Sequence, residues 1–194
     1  MASPHLDLNA GAPAGIRPFL QAIDGLGRLD GWIGAGCLLA LTLLMLSEII
    51  ARAASNFLGI GPGTVPNAWE YSSYLMAAAF TFGAAMTLRG GGHIRVTLLL
   101  NNFGPLFKRV VEVFSSTLAF LAMGYLSVAM TMFTWASYSR GQVSISSGTA
   151  VWPPMVVVTF GMALLSLQFL GRAIRAVYDL PLEDPTMRAS NPVE

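Results

Sequence analysis

Four apolar runs without a single lysine or arginine set the limits on this chain: Trp32 to Ile50, Trp69 to Leu88, Val110 to Trp135 and Val151 to Leu170. Each has about the 20 residues that a helix needs to cross a hydrocarbon core roughly 30 Å thick. In lipid every backbone amide must be hydrogen-bonded within its own segment or within a closed barrel, and these runs are too continuously apolar for strands that alternate between lumen and lipid. The expected class is an all-α integral membrane protein with four transmembrane helices. Composition agrees, since 11% of the 194 residues are charged where a soluble domain carries about 25%.

The few cations predict the orientation. Arg17 and Arg28 precede the first run, Arg89, Arg95, Lys108 and Arg109 lie in or beside the middle loop, and Arg172, Arg175 and Arg188 follow the fourth run; Arg52 and Arg140 alone fall on the other side. The positive-inside rule therefore puts both termini and the middle loop in the cytoplasm. Trp32, Trp69, Trp135 and Trp152 mark the ends of the runs, where an amphipathic ring prefers the headgroup level.

Phe19, Leu20, Ile23, Leu26 and Leu29 recur at helical spacing among polar residues, which predicts a short interfacial helix before the first span. "VTLLLNNFGP", Val96 to Pro105, is too short to cross and is expected to lie in the interface within the middle loop. The predicted organisation is a flexible tail over 1–18, one membrane domain over 19–177 and a flexible, proline-containing tail over 178–194. The N-terminus lacks a basic stretch followed by an apolar core, so the first run is expected to remain as an anchor rather than to be cleaved.

Little here supports catalysis. His5 lies in the N-terminal tail and His93 in the middle loop, the single cysteine is Cys37, and there is no HExxH, cysteine pair or Walker loop. Haem, metal and nucleophilic chemistry therefore lack their usual ligands; no cofactor and no enzymatic role are expected. A net charge of +1 gives no basic face for nucleic acid.

Glu48 is an ionisable group inside a span, which makes it a functional candidate by default. Arg52 follows four residues later, so the competing reading is a neutralised pair at a helix end. Glu70 begins the second run, near a helix N-terminus where negative charge is favourable, and Glu112 is expected to settle the start of the third. Ser73, Ala77, Thr81 and Ala85 recur every four residues and offer a small-residue face for close helix packing, internally or against a partner. Arg89, Gly91, Gly92, His93 and Arg95 form the expected cytoplasmic elbow and interface anchor, while Arg140 stands in the outer loop.

The segment "WEYSSYLMAAAFTFGAAMTLRGGGHIRVTLLL", and above all "GGHIRV" from Gly91 to Val96, resembles the small, DctQ-like membrane subunit of tripartite ATP-independent periplasmic (TRAP) transporters. The likeness extends from about Ile16 to Val177 and departs from the family pattern at Thr97, where an aspartate is frequent. The resemblance implies a bacterial inner-membrane scaffold. It would brace a large multi-span subunit of the elevator type, driven by an ion gradient, typically Na⁺, for uptake of an organic acid, and help to dock a periplasmic substrate-binding protein. Partners would be those two proteins and membrane lipid. The alternative from the residues alone is a self-sufficient four-span carrier, a homo-oligomer with Glu48 as its coupling carboxylate.

Overall fold

The computed structural model describes residue 9 and residues 11–90 and 104–182. Four long helices make up nearly all of it: α1 (Arg17–Ala53), α2 (Ala68–Arg89), α3 (Pro105–Ser139) and α4 (Trp152–Val177). A π-helical turn, Ala54–Leu58, prolongs α1 and ends at Gly59 in the left-handed conformation. By length and apolar content the segments Arg17–Leu58, Leu106–Ser139 and Trp152–Val177 can each cross a membrane. Helix α2 has 22 residues, about 33 Å at 1.5 Å per residue, but its first two turns contain Glu70, Tyr71, Ser72, Ser73 and Tyr74 and it falls outside that set.

The interfacial helix expected near Phe19 is not a separate element. Helix α1 runs unbroken through 37 residues, about 55 Å, so a separate helix before the span is replaced by a continuation of the same helix. Pro18 sits in the first turn, where no amide bond is lost, and no proline follows to break the helix before the loop. The N-terminal tail is also tied down in part, because Asn9 is fully buried.

Small residues set the distance between α1 and α2. A Cβ on Gly34 would lie 2.9 Å from the Gly83 amide nitrogen, and one on Gly31 2.8 Å from the Met86 sulfur. Backbones this close gain dispersion contacts that lipid tails cannot match, which is how helices associate without a hydrophobic drive. Ala78, Phe82 and Leu164 form the centre of the core, with Leu26, Ile33 and Cys37 packed against it. Helix α4 is the central strut, touching α1, α2 and α3, and Gly161 receives Thr81 of α2.

Helix α3 is inside out relative to a soluble helix. Its buried residues include Ser116, Ser127, Thr134 and Ser137, whereas Phe114, Leu118, Leu121, Tyr125, Met132 and Trp135 are exposed. Two of these inward hydroxyls are satisfied by their own helix, Ser127 donating to the Met123 carbonyl and Thr134 to that of Met130, while Ser137 donates to the Gln142 side chain in the following loop. The apolar outer face is suited to hydrocarbon or to another membrane protein.

The glycine contact yields a paired test. Gly34→Ala is expected to lower stability in detergent by about 1–3 kcal/mol through overpacking, while Gly83→Ala, whose Cβ would meet nothing within 4 Å, is expected to be close to neutral. Equal effects in a denaturation series would contradict the close approach.

Candidate functional site

The two ends of the bundle are built differently. At the end carrying the start of α1, three arginines are buried: Arg89 at the close of α2, and Arg172 and Arg175 on α4. Asp24 of α1 accepts from Arg175 Nη2 at 2.5 Å and from Asn9 Nδ2 at 2.7 Å, and lies 3.4 Å from Arg89 Nη2. Arg89 also donates to the Asp24 backbone carbonyl at 2.6 Å. Glu112 of α3 accepts from Arg172 Nε at 2.7 Å, and Arg172 Nη1 reaches the Leu88 carbonyl at 3.1 Å. All four helices thus meet in one polar layer.

The layer also answers the helix ends. The last carbonyls of a helix lack partners within it and carry partial negative charge. Arg172 takes one such carbonyl of α2, and Arg109 takes those of Ala176 and Val177 at the close of α4. Gln168 adds a bond of 2.8 Å to the Ile23 carbonyl of α1.

Nearly two turns beyond Asp24 along α1 lies Asp30, with 0% of its surface exposed. Among the described residues neither of its carboxylate oxygens has a hydrogen-bond partner. A buried polar group left so costs about 1–3 kcal/mol.

At the opposite end two carboxylates fasten two loops. Glu48 Oε1 accepts from Arg52 Nε at 3.1 Å and Nη2 at 2.9 Å, while Oε2 accepts the Val65 amide at 2.6 Å. The loop 59–67 is pinned to α1 by that bond. Glu70 receives Tyr74 Oη at 2.8 Å and, from the loop 140–151, Ser146 Oγ at 2.8 Å. That loop is a narrow hairpin-like turn, with Val143 bridged to Ala150 and Ile145 fully exposed at its tip.

The structure separates several residues grouped by sequence. Thr81 and Ala85 of the small-residue face are buried, but Ser73 and Ala77 are exposed; the packed face of α2 runs instead through Ala78, Ala79, Phe82 and Leu88. Arg89, expected as an interface anchor, is 5% exposed and belongs to the polar layer. Glu112 does more than settle a helix start, since it joins α3 to α4. Arg140 is exposed at the C-cap of α3. Gly91, Gly92, His93 and Arg95, with the interfacial segment of the middle loop, lie outside the described residues. Asp24, Asp30, Gln168, Arg172 and Arg175 were not singled out from sequence, although Asp24, Gly27, Gly31 and Gly34 on α1 and Gln168, Arg172 and Arg175 on α4 share helical spacing, which was the available signal.

Comparison with known proteins decides the family. The family model described as "Tripartite ATP-independent periplasmic transporters, DctQ component" matches residues 41–178. The chain belongs to this family. As a DctQ component it is a membrane protein of a TRAP transporter. No curated protein and no solved structure matches it. The match takes in both loop-fastening carboxylates and all three buried arginines, while Asp24 and Asp30 precede it.

Substitutions of the two buried carboxylates of α1 should have opposite signs. Asp24→Ala strands buried guanidinium charge and is expected to cost about 3–5 kcal/mol; Asp30→Val removes an unbonded buried carboxylate and is expected to raise stability by about 1 kcal/mol or more. Thermal or denaturant unfolding in detergent measures both, and a stabilised Asp24 variant would overturn the assignment of the layer. At the other end, Glu48→Gln is expected to speed hydrogen exchange at the Val65 amide by about fivefold or more, since a bond to a charged acceptor contributes about 1.5–3 kcal/mol. Unchanged exchange there would detach the loop from Glu48.

Proposed function

We propose that the chain is the static brace of its transporter. It would span the inner membrane four times with both termini in the cytoplasm, hold a large elevator-type subunit in place, and help a periplasmic substrate-binding protein to dock. The carrier beside it would be driven by an ion gradient, Na⁺ on the family resemblance, and would take up an organic acid. The observation that carries this reading is what most of the ionisable groups of the bundle, Asp30 excepted, do. Asp24, Glu112, Arg89, Arg172 and Arg175 tie helix to helix, and Glu48 and Glu70 tie loops to helix ends. A wall against which another subunit slides has to resist tilt and shear, and cross-ties at both ends oppose these motions.

The self-sufficient carrier reading requires Glu48 to exchange its ion. Both of its oxygens are engaged, one by Arg52 and one by the Val65 amide, so ion release would have to break the fastening of the outer loop. Reconstitution of the chain alone decides between the readings: no ion-coupled flux is expected, and robust flux would sink the brace. In mild detergent a large multi-span subunit is expected to copurify.

Docking would fall on the loop end, where Arg52 is half exposed and Arg140 is exposed. Arg140→Glu in the assembled transporter is expected to weaken binding of the substrate-binding protein several-fold and to flatten its salt dependence, because rim charges act mainly on encounter. Arg52→Glu should do the same with an added loosening of the loop 59–67. Unchanged affinity in both variants would remove these arginines from the docking surface.

A further inference from the structure

An open groove between α3 and α4 runs inward from the loop end. It encloses about 780 Å³ and is lined by residues that include Thr131, Thr134, Trp135, Tyr138, Trp152 and Phe160. We infer that this groove holds one acyl chain of a zwitterionic phospholipid, with the lipid's ammonium group seated against the aromatic rim and its phosphate beside Arg140.

The floor of the groove selects for hydrocarbon. Its three threonine hydroxyls are already committed to their own helices: Thr131 donates to the Ser127 carbonyl, Thr134 to that of Met130 and Thr159 to that of Met155, each at 2.7 Å. What they leave toward the groove is methyl and acceptor surface, which offers a polar ligand such as an organic acid no donor. An apolar chain loses nothing there.

Length selects the kind of chain. From Trp152 to Ala163, the α4 residues at its two ends, the groove extends about 16 Å at 1.5 Å per residue. That is about half of a 30 Å hydrocarbon core, the depth of a single leaflet. A transmembrane helix of a partner would need a track of twice this length, whereas one lipid tail fits from headgroup to midplane.

The rim selects the headgroup. Trp135, Tyr138 and Trp152 stand together, with ring centroids 5.9 Å apart for Trp135 and Tyr138 and 5.4 Å apart, edge to face, for Tyr138 and Trp152. All three are partly open to the surroundings. Several aromatic rings in one place form the surface that attracts an ammonium ion through the negative ring faces. Arg140, two residues beyond Tyr138 and exposed, supplies the opposite charge for the phosphate. An anionic lipid would use Arg140 alone; a lipid with an amine uses both.

The test uses the full chain with Trp32→Phe and Trp69→Phe, so that of its four tryptophans only the groove pair reports. Vesicles of equal phosphatidylethanolamine and phosphatidylglycerol are prepared twice, with bromine on the tails of one lipid or of the other, which leaves the bilayer composition unchanged. Brominated phosphatidylethanolamine is expected to quench with a two- to fivefold preference, roughly the selectivity of an exposed cation–π contact. Tyr138→Leu is expected to abolish the preference and Arg140→Gln to weaken retention of both lipids. Equal quenching by the two lipids would make the rim an ordinary aromatic belt and overturn the proposal, as would a preference that survives Tyr138→Leu. Weak quenching by both, relative to the reciprocal chain that keeps Trp32 and Trp69, would mean that a second copy covers the groove, which overturns it too. None of these readings depends on the brace function, since transport is not measured.

Discussion

Three guanidinium groups cannot be buried at one end of a helix bundle unless acceptors reach them from every neighbouring helix, and the architecture follows from that demand. Asp24 meets Arg89 and Arg175, Glu112 meets Arg172, and the backbone carbonyls of Asp24 and Leu88 accept further bonds from Arg89 and Arg172. An uncompensated buried charge costs several kcal/mol, so each helix is held in axial register by the others. The same demand explains why α1 runs on past the expected end of its span. Its first turns must stay upright against α2 and α4 to deliver Asp24, and a helix lying in the headgroup plane would leave Arg89 and Arg175 without that carboxylate.

Away from the polar layer the bundle is held by close approach. In lipid the exclusion of apolar surface from solvent does not distinguish inside from outside, because the tails are as apolar as leucine. Glycine and hydroxyl residues therefore occupy the helix interfaces, as at Gly34 against Gly83 and Gly161 against Thr81. The bulky residues of α3 turn outward. The result is a bundle with a broad apolar surface, cross-tied at one end by ions and at the other by two carboxylates that hold loops.

Those two carboxylates differ in how readily local sequence reveals them. Glu48 and Arg52 are four residues apart, a spacing that pairs them on any helix, and the structure pairs them. That Glu48 also holds the Val65 amide, and that Glu70 holds Ser146 across 76 residues, depends on where two loops fold back. The small-residue face was half legible for a similar reason. Every fourth residue drifts slowly around a helix of 3.6 residues per turn, so the line through Ser73, Ala77, Thr81 and Ala85 leaves the packed face at its first two positions.

By itself the sequence determined the helices, their approximate extents, the membrane class and the family, because hydropathy and backbone hydrogen bonding act within a segment and are written in contiguous residues. It also determined that very few charges would be available for any purpose. Only the tertiary structure decided what those charges do. Asp24 and Arg175 are 151 residues apart, and no local rule links them. Their meeting depends on the antiparallel approach of α1 to α2 and the central position of α4, and these in turn depend on side chains packing in three dimensions.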